Sequence, residues 1–200
     1  MTAVLQKGDI MNTTNSNFTV QEMGRIALFA ALTSILAFII VPLPLSPVPV
    51  SGQTLGVMLA GIFLKGRNAF FSQFIYILMG IIGLPIFAGG SSGIGVLLGP
   101  TGGFIWGFLI GAYIIGKLTE KEFNTPWLGN SLSLILGGVI AIYIPGVIQY
   151  VIVMGVSVKE AISVAVIPFL PGDVFKIIVG LMVSRKVVFK RVFKEGIASS

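Results

Sequence analysis

The sequence predicts an all-α integral membrane protein that folds as a bundle of six transmembrane helices. Of its 200 residues, 55% are hydrophobic and only 10% are charged, which is more apolar surface than a soluble core buries. Short connectors separate the apolar segments, so a single membrane domain is expected. We therefore expect a polar N-terminal tail (1–23), a six-helix membrane domain (24–188) and a basic cytoplasmic C-terminal tail (189–200).

The distribution of basic residues predicts the orientation of the bundle. Of the 13 lysines and arginines, only Lys159 lies in a predicted outer connector, and Lys176 lies within a span. The others fall in the tails and in alternate connectors, which the positive-inside rule places in the cytoplasm. Both termini are therefore expected to be cytoplasmic. The net charge of +6 thus indicates contact with the lipid bilayer surface and not with nucleic acid.

The individual spans follow from the apolar runs and from the proline and glycine residues between them. We place the spans at about 26–41, 50–65, 69–87, 99–116 and 128–154, and the last from the 168–172 break to about 183.

Two positions within this plan are irregular. The proline-spaced segment 42–49 cannot be helical, and span 2 after it is too short to cross a hydrocarbon core of about 30 Å. Its outer end is therefore expected to lie below the membrane surface, where non-helical backbone must line a cavity or be covered by protein. Span 5 is expected to kink at Pro145.

The composition excludes several classes of function. The chain has no cysteine and no histidine, so thiolate sites, histidine metal sites and histidine-based catalysis are excluded. The glycine-rich stretch 89–103 lacks the spacing and the lysine of a phosphate-binding loop. We expect no enzyme activity, no metal and no cofactor.

Two ionisable residues within the last span, Asp173 and Lys176, indicate a ligand-binding site. They lie three residues apart on one side of the helix. A charge at mid-membrane costs about 2.5–3.5 kcal/mol on insertion scales, so each needs a partner or a wet cavity. Lys176 suits a ligand carboxylate, and Asp173 suits ligand N–H donors. The alternative is structural: Asp173 caps the helix and pairs with Lys176.

Other residues are candidates for the same site or for a partner surface. Near the two irregular loops, the candidates are Gln53, Thr54, Tyr76, Phe87, Gly89, Gly90 and Ser91. On span 1, Ala27 and Ala31 form a small-residue pair, and Ala30 with Ser34 forms another. Small residues at this spacing let two helices approach closely in lipid. The approaching helix belongs either to a partner membrane protein or to this chain itself.

Four ordered motifs resemble those of the BioY family, the biotin-specific substrate-binding subunits of energy-coupling factor transporters. They are PVPVSGQTLG at 47–56, GLPIFAGG at 83–90, LGPTGGF at 98–104 and PFLPGDVFK at 168–176, and the resemblance covers about residues 24–185. It implies a six-helix bundle in a prokaryotic plasma membrane. Biotin is then expected near the outer side, under the first loop, between spans 1 and 2, and the third loop, between spans 3 and 4. It also implies that Asp173, Lys176 and Gln53 contact the ligand.

The same resemblance implies partners. The Ala27 and Ala31 pair is similar to the surface with which the family docks on a transmembrane coupling subunit, which works with two ATPase subunits. An alternative is a stand-alone secondary carrier or facilitator of a small carboxylate-bearing vitamin, with Asp173 as a proton-linked site. A membrane-embedded enzyme is a third class, which the lack of histidine and cysteine argues against.

Overall fold

The computed structural model describes residues 18–41, 50–121 and 125–198. The proline segment 42–49 and most of the predicted N-terminal tail lie outside the described residues. The elements are α1 (Val20–Leu36), β1 (Ile40–Val41), β2 (Val50–Ser51), α2 (Gln53–Ile81), a 3₁₀ turn (Ala88–Gly90), α3 (Ile94–Leu98), α4 (Gly102–Thr119), α5 (Pro126–Ile135), a π-helical turn (Leu136–Ile140), α6 (Ala141–Met154), α7 (Val158–Ala165), a second 3₁₀ turn (Ile167–Phe169) and α8 (Leu170–Ala198).

Helix α1 begins earlier and ends earlier than the predicted first span. Thr19 caps it: its side chain accepts a hydrogen bond from the Glu22 N–H, and the Glu22 carboxylate accepts one from the Thr19 N–H. The predicted extension to residue 41 was wrong, because β1 pairs antiparallel with β2. This two-stranded base joins the two ends of the proline segment.

The predicted spans 2 and 3 form one helical stretch, α2, with a break at Lys65. Lys65 has φ 65° and ψ 160°, which is not helical. The part before the break, residues 53–64, is about 18 Å long at the helical rise, so this helix is as short as the sequence predicts. The second part ends at Ile81 and not at residue 87, because Gly83 turns the chain with φ 107°.

Helix α4 packs directly on the backbone of the fifth span through a row of glycines. A Cβ atom placed on Gly107 would lie 2.7 Å from the Ile142 Cα atom, and one on Gly111 would lie 2.4 Å from the Gly137 carbonyl oxygen. Only glycine permits such an approach, and close backbone contact is a main source of helix association in lipid. Gly103 lies on the same face of α4, against Pro145.

The fifth span is irregular earlier in the chain than predicted. The π-helical turn covers Leu136–Ile140, whereas Pro145 lies inside α6. A Cβ atom on Gly138 would lie 2.6 Å from the Met58 methyl group, so the wide turn lies where the span presses against both α2 and α4. Residues after it are rotated relative to those before it, as at other π bulges.

Helix α8 includes residues that the sequence suggested would break it. Pro171 and Gly172 lie in its first turn, where a proline's missing N–H costs nothing. The break precedes them, in the 3₁₀ turn Ile167–Phe169. The helix continues past residue 188 to Ala198, so no helix end marks the predicted start of the C-terminal tail.

The described residues are mostly helical and carry apolar side chains outward. By length and composition, three helical stretches in this part of the chain are able to cross a membrane: Gly102–Thr119, Trp127–Met154 and Val158–Arg185. Large apolar side chains such as Leu28, Ile152 and Phe175 are at least 65% exposed. Apolar surface of this extent is typical of a protein solvated by lipid.

The glycine contact between α4 and α6 generates a prediction about stability. Gly107→Ala should lower the free energy of unfolding by about 1–3 kcal/mol, because the new methyl group forces the two backbones apart. The measurement is denaturant unfolding in detergent micelles, followed by circular dichroism.

Gly24→Ala is the matched control, because a Cβ atom at Gly24 meets nothing within 4 Å. Alanine in place of an interior helical glycine should there add roughly 0.5–1 kcal/mol. Equal effects at the two positions would contradict the close-contact assignment.

Candidate ligand-binding site

A cavity of about 180 Å³ lies between α2, α4, α6 and α8, beneath the loop that contains the first 3₁₀ turn. Its apolar wall is formed by aromatic and aliphatic side chains from three elements: Phe104, Ile105, Phe108, Ile142 and Phe169. Its polar wall consists of Ser51, Gln53, Thr54, Ser91, Thr101, Tyr143, Asp173 and Lys176. A pocket with one apolar wall and a few convergent polar groups is the usual form of a small-molecule site.

Asp173 and Lys176 form a buried ion pair in this cavity. The Lys176 Nζ atom lies 3.2 Å from the Asp173 Oδ1 atom, and the two residues are only 8% and 4% exposed. Lys176 also donates a hydrogen bond of 2.7 Å to the Thr54 hydroxyl. Tyr143 donates one of 2.5 Å to the Asp173 Oδ2 atom. The pair therefore ties α8 to α2 and α6.

The structural alternative for Asp173 combined a helix cap with an ion pair to Lys176, and the structure contains the ion pair. Both carboxylate oxygens bond side chains, Tyr143 and Lys176, and not the free N–H groups at the start of α8. Asp173 thus pairs with Lys176 without capping the helix. Each charge keeps its partner inside the membrane domain, which offsets the cost of burying it.

Gln53 reaches the cavity from the start of α2, and Tyr76 holds it from behind. The Gln53 side-chain amide donates to the Tyr76 hydroxyl and accepts a 2.7 Å hydrogen bond from Ser51. Tyr76 in turn donates to the Ile86 carbonyl oxygen at 3.0 Å. Tyr76 does not itself line the cavity, so its place is one layer behind Gln53.

Phe87 also lies behind the cavity wall. It is fully buried, and its ring packs edge-on against Tyr76 at 5.6 Å between centroids. It fills the space above Gly80, where any Cβ atom would overlap the ring. The structure therefore places Phe87 as a support for Tyr76, and does not bring it to the cavity surface.

The predicted glycines of the third loop shape the loop and do not line the cavity. Gly89 and Gly90 have φ angles of 71° and 75°, a left-handed conformation that favours glycine. The turn they form brings Ala88 and Ser91 to the cavity. The Ser91 hydroxyl donates to the Ala88 carbonyl oxygen at 2.8 Å, so it is held in place over the polar wall.

The sequence analysis did not assign two polar residues of the fifth span to the site. Tyr143 lines the cavity and bonds Asp173. Gln149 donates hydrogen bonds of 2.7 Å to the carbonyl oxygens of Leu97 and Gly99, which fixes the end of α3 beside the cavity. Both are polar side chains within an apolar span, where each needs a partner, and this feature of the sequence could have identified them.

The two small-residue pairs of α1 face in different directions. Ala30 and Ser34 are buried in the bundle, whereas Ala27 and Ala31 are exposed. Packing within this chain therefore accounts for Ala30 and Ser34 alone. The Ala27 and Ala31 pair remains uncovered among the described residues and is free to contact another helix.

Comparison with known proteins gives consistent matches over most of the chain. The model of the BioY family matches residues 11–192. A protein named biotin transporter BioY from Rhizobium etli is 35% identical over 170 residues, which cover 81% of this chain and 90% of the relative. A probable biotin transporter BioY from Bacillus subtilis is 34% identical over 168 residues, with 83% and 89% covered.

A solved structure has the same fold. It is the crystal structure of the S-component for biotin from an ECF-type ABC transporter, and it superimposes with a TM-score of 0.76 at 28% sequence identity. The match covers 86% of this chain and 94% of that chain. The relatives named above are described as transporters, not as enzymes.

The buried pair generates a prediction about ligand-free stability. Lys176→Met should lower the free energy of unfolding by about 3 kcal/mol, because it leaves the Asp173 carboxylate without its counter-charge. Adding Asp173→Asn to that variant should restore most of the loss, since no uncompensated charge remains. Unfolding in detergent micelles measures both values.

Lys159→Met is the matched control, because Lys159 is an exposed lysine outside the cavity, and it should change stability little. If the double variant were no more stable than Lys176→Met, the assignment of the pair would be wrong.

Proposed function

The chain belongs to the BioY family, and on that basis we propose that it captures biotin and mediates its uptake as the substrate-binding subunit of an energy-coupling factor importer. The observation that carries the proposal is the cavity in which a buried lysine and a buried aspartate lie 3.2 Å apart beside an apolar wall. Biotin offers a carboxylate, two ureido N–H groups and an apolar bicyclic ring. These groups match the cavity in charge, hydrogen bonding and polarity.

In this proposal, Lys176 binds the valerate carboxylate of biotin. Its ammonium group already donates to the Thr54 hydroxyl and to Asp173, and the ligand carboxylate would replace the latter as its acceptor. A charge-assisted hydrogen bond of this kind is roughly twice as strong as a neutral one. Thr54 remains close enough to donate its own proton to the carboxylate.

Asp173 is assigned to the ureido N–H groups. Its Oδ2 atom accepts from the Tyr143 hydroxyl, which occupies one of its lone pairs as a ligand donor would. An ionised carboxylate only accepts hydrogen bonds, so ligand N–H groups are suitable partners once Lys176 turns to the ligand. Tyr143 keeps Asp173 oriented in both states.

The remaining predicted residues fall into two groups in this proposal. Gln53 and Ser91, which line the cavity, are assigned to direct polar contact with the ligand. Tyr76 and Phe87 position Gln53 from behind. Gly89 and Gly90 supply the turn that holds the third loop over the ligand.

The proposed setting is the cell membrane, crossed six times with both termini in the cytoplasm. Arg25, Lys65 and Lys121 line a second cleft at the helix ends away from the ligand cavity. Lys159 is on α7, which leads into the ligand-binding end of α8. Basic residues concentrated at one end favour that end as the cytoplasmic one.

Active uptake requires partners in this proposal: a transmembrane coupling subunit and two ATPases. The exposed Ala27 and Ala31 on α1 form the proposed docking surface, since two small residues four apart allow a partner helix to approach closely. The alternative, a stand-alone carrier, needs no such surface.

The first test is a calorimetric titration of the purified chain with biotin. Asp173→Asn and Lys176→Met should each weaken binding about tenfold or more, that is by about 1.4 kcal/mol or more. Biotin methyl ester identifies the contact: it should bind the wild type far more weakly than biotin, while Lys176→Met should bind the ester and the acid nearly equally.

Lys159→Met should bind as the wild type does, and size-exclusion chromatography should show each variant monodisperse. If well-folded wild-type protein did not bind biotin, biotin would be ruled out as the ligand. An ester penalty that persists in Lys176→Met would remove Lys176 from the carboxylate subsite.

The second test concerns the partner surface. Ala27→Leu with Ala31→Leu should abolish co-purification with the coupling subunit and biotin uptake into vesicles, because the larger side chains hold the helices apart. Biotin binding by the isolated variant should be unchanged, since neither residue lines the cavity.

Ser163→Leu, an equally drastic change at an exposed position of α7, should leave co-purification and uptake intact. Biotin accumulation by the wild-type chain alone in vesicles would overturn the need for a partner and favour a stand-alone carrier.

A further inference from the structure

A second polar cleft, of about 650 Å³, lies at the opposite end of the bundle from the ligand cavity. It is formed by the start of α1, the break in α2 and the end of α4. Three basic residues line it, Arg25, Lys65 and Lys121, together with an apolar wall of Ile62, Phe63 and Leu64. The same cleft also contains two acidic residues, Glu22 and Glu120.

Both acidic residues are already bonded to the protein. One Glu120 oxygen accepts the Gly66 N–H at 2.9 Å, and the other forms an ion pair with Lys117 at 3.2 Å. One Glu22 oxygen accepts from the Thr19 N–H at 2.9 Å, and the other accepts from the Asn68 amide at 3.2 Å.

The three basic side chains of the cleft are not engaged in the same way. Among the described residues, the ion pairs are those of Lys117 with Glu120 and of Lys176 with Asp173. Arg25, Lys65 and Lys121 take part in neither, although Lys65 also attracts Glu120 at longer range, and all three are exposed. The cleft therefore presents three exposed positive charges, two carboxylates that already have partners, and an apolar wall.

The backbone at Lys65 provides an independent observation. Its φ of 65° with ψ of 160° is a conformation that is essentially restricted to glycine, and a side chain there is strained. Helix α4 crosses the chain directly after this break: a Cβ atom on Gly116 would lie 2.4 Å from the Gly66 nitrogen, so residue 116 must be glycine. A lysine at 65 therefore costs stability, and its exposed charge is a candidate for ligand contact.

We propose that this cleft binds the phosphate group of an anionic phospholipid of the inner leaflet, with Arg25, Lys65 and Lys121 as its cationic contacts. Basic pockets between transmembrane helices on the cytoplasmic side suit such headgroups. On the apolar wall, the partly exposed side chains of Ile62 and Phe63 lie where the glycerol and the upper acyl chains would pack, whereas Leu64 is buried behind them. A free inorganic anion would use the cations alone and leave that wall without an occupant.

The test measures lipid binding to the purified full chain by native mass spectrometry, with phosphatidylglycerol and phosphatidylcholine titrated in parallel. The wild type should bind phosphatidylglycerol several-fold more tightly. Arg25→Gln, Lys65→Gln and Lys121→Gln should each weaken that binding about fivefold, the effect of one cation at a membrane surface. Lys159→Gln is the matched control on the opposite side and should not change it.

Lys65→Gly separates charge from strain. It should weaken phosphatidylglycerol binding as Lys65→Gln does, and it should also raise the melting temperature without lipid, because glycine relieves the strained backbone. Lys65→Gln keeps the strain and should not raise it. If Lys65→Gly bound phosphatidylglycerol more tightly and also had a higher melting temperature, the result would contradict a role for the lysine in lipid binding.

Three outcomes overturn the proposal. Equal affinity for the two lipids removes the preference for an anionic headgroup. Inorganic phosphate that displaces phosphatidylglycerol at comparable concentration identifies a site for a free anion. Substitutions that impair assembly with a membrane partner while leaving lipid binding unchanged assign the cations to an acidic protein segment. None of these measurements depends on biotin.

Discussion

The structure depends on how two opposite charges are kept inside an apolar bundle. Asp173 and Lys176 lie on α8, and each takes a second partner from a different helix: Tyr143 from α6 and Thr54 from α2. Because an unpaired charge at this depth costs several kcal/mol, the bundle is stabilised when these helices converge on one point. The convergence leaves a polar cavity between them, so the arrangement that satisfies the charges is also the one that creates the site.

Glycine packing makes that convergence possible. The contact of Gly107 with Ile142 brings α4 against the backbone of the fifth span, and the π-helical turn Leu136–Ile140 adjusts the rotation of α6 just before Tyr143. A wide turn of this kind changes the direction of every later side chain in the helix. The hydroxyl that bonds Asp173 is thus placed by the close packing of small residues one turn earlier. Packing and polar chemistry are therefore coupled in this region, and α4 determines a contact that it does not itself make.

Part of this site was readable from the sequence for a simple physical reason. Charged residues in an apolar span must have partners, so Asp173 and Lys176 identified the site, and the proline segment indicated that Gln53 and Thr54 begin a short helix beside it. Tyr76 and Phe87 were assigned to the ligand because composition does not distinguish a side chain in the wall from one behind it. Tyr143 was missed because a tyrosine in a span is also a common packing residue. The π-helical turn has no sequence periodicity of its own, and the spacing of the small residues on α1 predicted close approach without predicting which helix approaches.

The protein partners of the two charges bear on the selectivity expected of the proposed site. Tyr143 donates to Asp173 as a ligand N–H would, and Asp173 accepts from Lys176 as a ligand carboxylate would. In the proposed binding mode, a ligand that enters separates this pair, so it has to satisfy both charges at once. A molecule with the carboxylate but no N–H donors leaves Asp173 without its lysine, and one with the donors but no carboxylate leaves Lys176 without an anion. Because a buried group left unpaired costs far more than a missing apolar contact, the paired charges exclude incomplete ligands more strongly than the apolar wall does. Selectivity in such a site arises from the cost of opening the ion pair, which only a ligand with both functional groups repays.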